Sequence, residues 1–210
     1  MTRAQRKTFR LTFCADVAAL MLTRRWARLE TLVRGCLSRR RITRRFAEEI
    51  MLHLSLVLGF PSMIRGLELV AAASPRASGE GRLARPREAL RASGLRTFRR
   101  VYGSQSGRVL AFLDSLGSGV SSSILEHAYG SVFARRGLSL AEREVLTIVV
   151  LSGHGHAKQL YGHIRGALRS GLTEGELRRV LNRLGRLHAM ESSEARRVLA
   201  SISSRRRAKN

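Results

Sequence analysis

The sequence predicts an all-α fold, and three observations carry that prediction. Apolar residues recur with a helical period along most of the chain, while strand-like alternation is scarce. Two S/T-x-x-E capping boxes, Ser139 with Glu142 and Thr173 with Glu176, open apolar-periodic stretches. Glycine, proline and serine gather where such stretches should stop, at Gly59-Phe60-Pro61 and at Ser170-Gly171.

Taken in order, residues 16–37 read as one or two helices. Residues 48–58 form a strongly apolar helix, stopped by Gly59-Phe60-Pro61 and able to resume over 62–73. The stretch 71–94 is rich in Ala, Ser, Gly and Pro and reads as a linker. Residues 109–116 and 124–135 look helical. The first capping box opens a helix running to about Leu151, and the second one running to about Leu187. Between them lies a helix over 156–169. LETLVRGCL (29–37) echoes LYGHIRGAL (160–168), with Gly35 opposite Gly166, as a duplicated helical hairpin would. The expected organisation is an N-terminal helical half-repeat over 1–70, a linker over 71–95, a core block over 96–200 and a basic tail over 201–210.

A chain of 210 residues can build one domain with a substantial core, or two small ones. The net charge of +24 comes almost wholly from arginine, since lysine occurs only at Lys7, Lys158 and Lys209. Such a field permits nucleic acid, anionic lipid or small anionic substrates as partners. The arginines are dispersed, no cluster is interleaved with aromatics, and no nucleic-acid motif is legible, so nucleic acid is not favoured. Cys14 and Cys36 form no CxxC, which points to a reducing cytoplasm. No uninterrupted run reaches about 18 apolar residues, so no membrane span is expected. The apolar run after Cys14 contains Asp16 and lacks a clean cleavage site, which argues against a signal peptide.

The segment SGHGHAKQLYGHIRGAL, from Ser152, holds three of the six histidines: His154, His156 and His163. On a helical wheel of about 100° per residue, His156, Gln159 and His163 fall on the apolar face, with Lys158, Arg165 and Arg169 opposite. The preceding stretch VLTIVVL (145–151) has the character of a buried helix, and Glu144 lies on its stripe with Ile148 and Leu151. Buried glutamate is rare unless paired, and the imidazoles of the next helix are its available partners. Three readings stay open: a structural histidine–glutamate pair, an acid–base site, and a metal site using His154, His156 and His163. No HExxH supports the last. His53, His127 and His188 read as ordinary helix residues, although His53 could line the same cavity.

LSLAEREVLTIVVLSGHGHAKQLYGHIRGALRSGLTEGEL, from Leu138, resembles the core block of the carboxymuconolactone decarboxylase family, on Glu144, Gln159, Leu160, His163, Ala167, Leu168, Gly171, Thr173 and Glu176. AYGSVFARRGL (128–138), EEIMLHLSLVLGFPSMIRGLEL (48–69) and VYG (101–103) are also similar to family segments. The resemblance implies an alkylhydroperoxidase D-like all-α fold with an internal repeat, assembled as a homo-oligomer, a trimer or hexamer. It implies His163 as general acid/base, Glu144 orienting it, and His156 and Gln159 holding a small anionic substrate. In peroxidase-type relatives a CxxC does thiol chemistry; here His156 and Gln159 stand at the two cysteine positions. The pattern is therefore similar to the decarboxylase branch, which implies a lyase needing no cofactor and no metal. A peroxidase-like oxidoreductase and a non-enzymatic basic oligomer are the alternatives.

Overall fold

In the computed structural model, residues 1–74, 85–188, 190 and 192–207 are described. The fold is all-α, and no strand occurs among these residues. The helices are α1 (Arg3–Leu22), α2 (Trp26–Ser38), α3 (Arg44–Ala73), α4 (Arg87–Tyr102), α5 (Ser106–Ser115), α6 (Val120–Ser123), α7 (Leu140–His154), α8 (Ala157–Arg169), α9 (Glu174–His188) and α10 (Ser193–Arg207). A 3₁₀ turn, Gly103–Gln105, joins α4 to α5, and α6 runs on as a π-helical segment, Ile124–Phe133.

The most apolar helices are central. α1 buries every residue from Phe13 to Met21, and α7 every residue from Ala141 to Ser152. They pack on each other, and each also packs across the molecule: α1 on α9, α7 on α3. The N-terminal half therefore shares one core with the C-terminal half. Asp16 of α1 ties it to α9, accepting 2.7 Å bonds from Arg183 Nε and Nη2 and a 2.9 Å bond from His188 Nε2. A smaller cluster forms where α4 lies along the π segment: Phe98, Val101, Leu125, Tyr129 and Phe133.

Local signals set the boundaries. Ser139 caps α7 through a reciprocal pair with Glu142, and Thr173 and Glu176 exchange the same two bonds ahead of α9. Gly59, at φ 79° and ψ 167°, breaks α3 one helix turn after its buried stretch ends at Leu54. By length and composition α3 is apolar enough to cross a membrane, although no uninterrupted apolar run of about 18 residues occurs in it. Its first half is built into the core around buried Glu49 and His53.

Three boundaries differ from the sequence reading. α1 starts at Arg3, capped by Thr2 and Gln5, thirteen residues before the helix expected from residue 16. Of the expected 71–95 linker, residues 75–84 lie outside the described residues, but α4 begins at Arg87 and contains Gly94. Gly94 is there for contact. A Cβ on it would run into the Leu125 carbonyl, and one on Gly130 would run into the Leu90 carbonyl. The two glycines let α4 and the π segment touch backbone to backbone. The expected 201–210 tail likewise begins inside α10, which reaches Arg207.

Candidate functional site

Glu144 leaves α7 within its first turns, where the helix is sealed on all sides, and its side chain is 0% exposed. Its Oε2 lies 2.9 Å from Nδ1 of His163 on α8. Its Oε1 is buried with no hydrogen-bond partner. Burial pushes the Glu144 carboxyl above its ordinary range, and the His163 imidazole pulls it back down. A carboxylate at Nδ1 fixes the tautomer, so His163 presents Nε2 on its other side. The His163 side chain is 13% exposed, and Nε2 is not among the sealed, unpartnered atoms. The pair thus has one sealed end, the carboxylate, and a ring that is partly exposed.

Glycine spacing on α8 makes room for this. Gly162 and Gly166, four residues apart, share one face. A Cβ on Gly166 would sit 2.9 Å from Val101 Cγ1 and 3.0 Å from Glu144 Oε1; one on Gly162 would sit 3.2 Å from the Tyr102 ring. The C-terminal end of α4 can therefore lie close against α8 and cover Glu144. Arg169 fastens the same end by donating a 2.9 Å bond to the Val101 carbonyl.

α4 and the π segment bring two tyrosines that the sequence reading did not single out. The Tyr102 ring stands edge-on to the His163 ring, centroids 6.4 Å apart. The hydroxyl of buried Tyr129 donates to that of Tyr102 at 3.3 Å. Burial raises both phenols, and the Glu144 charge adds to the rise in each. No local pattern links positions 102, 129 and 163; only the packing of three separate elements does.

His156 and Gln159 do not join this cluster. Both are exposed, which corrects their expected inward placement. His156 is the N-cap of α8, at φ −85° and ψ 70°, so a helical wheel begun there does not apply. Gln159 is one turn before His163, whereas α4 meets α8 at Gly162, Gly166 and Arg169. His154 is exposed as well, its ring 5.7 Å from that of His156. Among the described residues no group of three His, Cys, Asp or Glu side chains is gathered as a metal would require.

His53 belongs to a second buried polar cluster beside the first. Its Nε2 lies 3.0 Å from Thr147 Oγ1, and its ring packs edge-on against Phe133. Thr147 donates its hydroxyl to the Arg143 carbonyl, so it accepts from His53 Nε2. Burial holds the His53 pKa well below its ordinary value, reinforced by the charges of Arg143 and His163. His53 is therefore a neutral structural donor. The two thiols are unsuited to redox chemistry of this kind: Cys14 and Cys36 are both buried, and burial pushes both pKa values up, away from thiolate.

Residues 121–200 match the family model described as Carboxymuconolactone decarboxylase family. The match spans 80 of the chain's 210 residues. The match takes in the π segment, α7, α8 and α9, and with them Tyr129, Glu144 and His163. α4 and Tyr102 precede the matched residues, yet they close over the histidine–glutamate pair. No curated protein matches the chain.

Proposed function

We propose that this carboxymuconolactone decarboxylase-family protein is a cofactor-independent acid–base lyase acting on a small carboxylated anion, with a carboxylated lactone as the substrate class. The supporting observation is the 2.9 Å contact between His163 Nδ1 and a carboxylate sealed from solvent, on an imidazole that itself reaches the surface. Loss of CO₂ breaks a carbon–carbon bond and leaves its electron pair on the substrate. Without a cofactor the sink must be a substrate carbonyl, which becomes an enolate. His163 Nε2–H then delivers a proton to carbon, and water restores the proton. Glu144 orients the ring and balances the charge of the imidazolium. The net charge of +24 favours the approach of an anion. His156 and Gln159, being exposed, would meet substrate only at the mouth of the site.

The same reading carries a homo-oligomer, a trimer or hexamer in a cytoplasmic setting. Exposed Phe60 and Ile64 on α3, Phe112 on α5 and Leu116 just after it are apolar surface that assembly could cover. Light scattering at micromolar protein tests it. The activity test is CO₂ release from a carboxylated muconolactone by wild type and by His163→Asn. Turnover by wild type alone is the expected result. Equal turnover by both sinks the acid–base role of His163, and turnover by neither leaves a non-enzymatic basic helical protein as the alternative.

A further inference from the structure

The geometry points to Tyr102 as a further substrate-contacting residue: a hydroxyl donor, set by Tyr129, that holds the anionic oxygen of a substrate bound at His163. It deepens the acid–base reading above and rests on it. Tyr129 donates its proton to Tyr102, so the Tyr102 hydroxyl accepts within the protein and has its own proton left to give. Among the described residues no acceptor takes that proton.

The surroundings keep it a donor. Burial and the Glu144 charge both raise the Tyr102 pKa, so the phenol stays protonated at neutral pH. Glu144, bonded to His163 through Oε2, keeps Oε1 sealed and without a partner, so a carboxylate short of hydrogen bonds lies behind the His163 ring. A neutral hydroxyl beside that carboxylate offers an incoming anion a hydrogen bond without a proton to lose. Tyr102 is partly exposed, whereas Tyr129 is 4% exposed, so Tyr102 is the member that can reach a ligand. The edge-on placement against the His163 ring puts donor and proton-transfer group on the same small molecule. In the reaction, the carbon–carbon bond to the carboxylate breaks, its electron pair moves into the carbonyl oxygen, and Tyr102 O–H donates to that oxygen while His163 protonates carbon. No proton need leave Tyr102. Tyr129 acts through Tyr102 and is a positioning residue.

The test uses the full chain and 4-nitrophenolate as an enolate mimic whose absorbance reports its ionisation, alongside turnover of the carboxylated muconolactone. Tyr102→Phe should weaken nitrophenolate binding about tenfold and lower kcat about 10²–10³-fold with little change in KM, as loss of an oxyanion donor does. Tyr129→Phe should give a smaller loss of the same kind. Both variants should keep the wild-type melting temperature to within a few degrees. Wild-type binding and turnover in Tyr102→Phe overturns the proposal, as does a wild type that binds no nitrophenolate. If Tyr102-dependent binding persists while no turnover depends on His163, the hydroxyl pair stands as an anion site and the acid–base reading falls.

Discussion

Glu144 and Glu49 are both sealed carboxylates, 0% and 2% exposed, yet they are partnered in opposite ways. Glu49, on α3, is gripped by Arg135 through contacts of 2.8 and 3.0 Å, and by wholly buried Arg143 at 3.3 Å. Arg143 is in turn held by the Arg135 carbonyl at 2.9 Å. Glu144, the next residue along α7, has one imidazole on one oxygen and nothing on the other. The first arrangement neutralises a charge and joins three elements. The second leaves a charge underpaired beside a titratable ring that reaches solvent. Equal burial thus says little about role; what separates structure from chemistry is how completely the buried group is satisfied.

The largest expected effect separates the two clusters by rate. His163→Asn should lower turnover by about 10²–10⁴, the usual worth of a positioned general acid/base, with the fold intact. His53→Gln, in the Thr147–Arg143 cluster, should change turnover little. A His53 variant as inactive as the His163 variant, at equal stability, would erase the distinction between the clusters.

Stability should respond in the reverse order. Arg143→Met removes one of the two guanidinium groups on Glu49 and should cost about 3–5 kcal/mol, as breaking a buried charge pair does. Glu144→Gln should cost far less, because it replaces a carboxylate already short of partners. Chemical denaturation of both variants tests this; a Glu144→Gln protein as unstable as Arg143→Met would mean the two carboxylates are structurally equivalent.

Titration sharpens the same contrast, because the two clusters lose stability in opposite directions. The folded-state pKa of Glu144 is raised from 4.5. Folding is therefore unpenalised below the unfolded value, and stability falls as pH climbs from there through the folded value. His53 is lowered well below 6.5, so its stability is full above about 6.5. It is lost as pH falls below that, at up to about 1.4 kcal/mol per pH unit. His53→Gln should flatten the acid side of the stability profile. Glu144→Gln should gain on wild type as pH rises above about 4.5. Parallel profiles for wild type and both variants would remove the titration argument.

Much of this was legible in the residues because it is local. The capping boxes at Ser139 and Thr173, the break at Gly59 and the buried stripe carrying Glu144 each follow from a few neighbouring side chains. The Glu144–His163 juxtaposition follows from two consecutive antiparallel helices. What could not be read is long-range. Gly94 looked like linker because its purpose is the Leu125 carbonyl, thirty-one positions on. Tyr102 meets Tyr129 and His163 only once α4, the π segment and α8 are packed. His156 and Gln159 were misplaced because the wheel assumed a helix start and a covering helix that the sequence does not specify.

The smallest expected effect concerns that misplaced pair. Gln159 is exposed, on the same flank of α8 as His163 but one turn nearer the open end. No protein hydrogen bond depends on its side chain among the described residues, so Gln159→Ala should move stability by less than about 0.5 kcal/mol. A single exposed hydrogen bond to substrate at the mouth of the site is worth about 0.5–1.5 kcal/mol, so KM should rise only a few-fold with kcat nearly unchanged. That split is the informative part. Were Gln159→Ala to lower kcat as far as Tyr102→Phe, Gln159 would have to turn inward when substrate or a second subunit covers it, and the exposed conformation would not be the working one. An unchanged KM would instead remove Gln159 from the site and leave the binding of the anion to Tyr102 and His163.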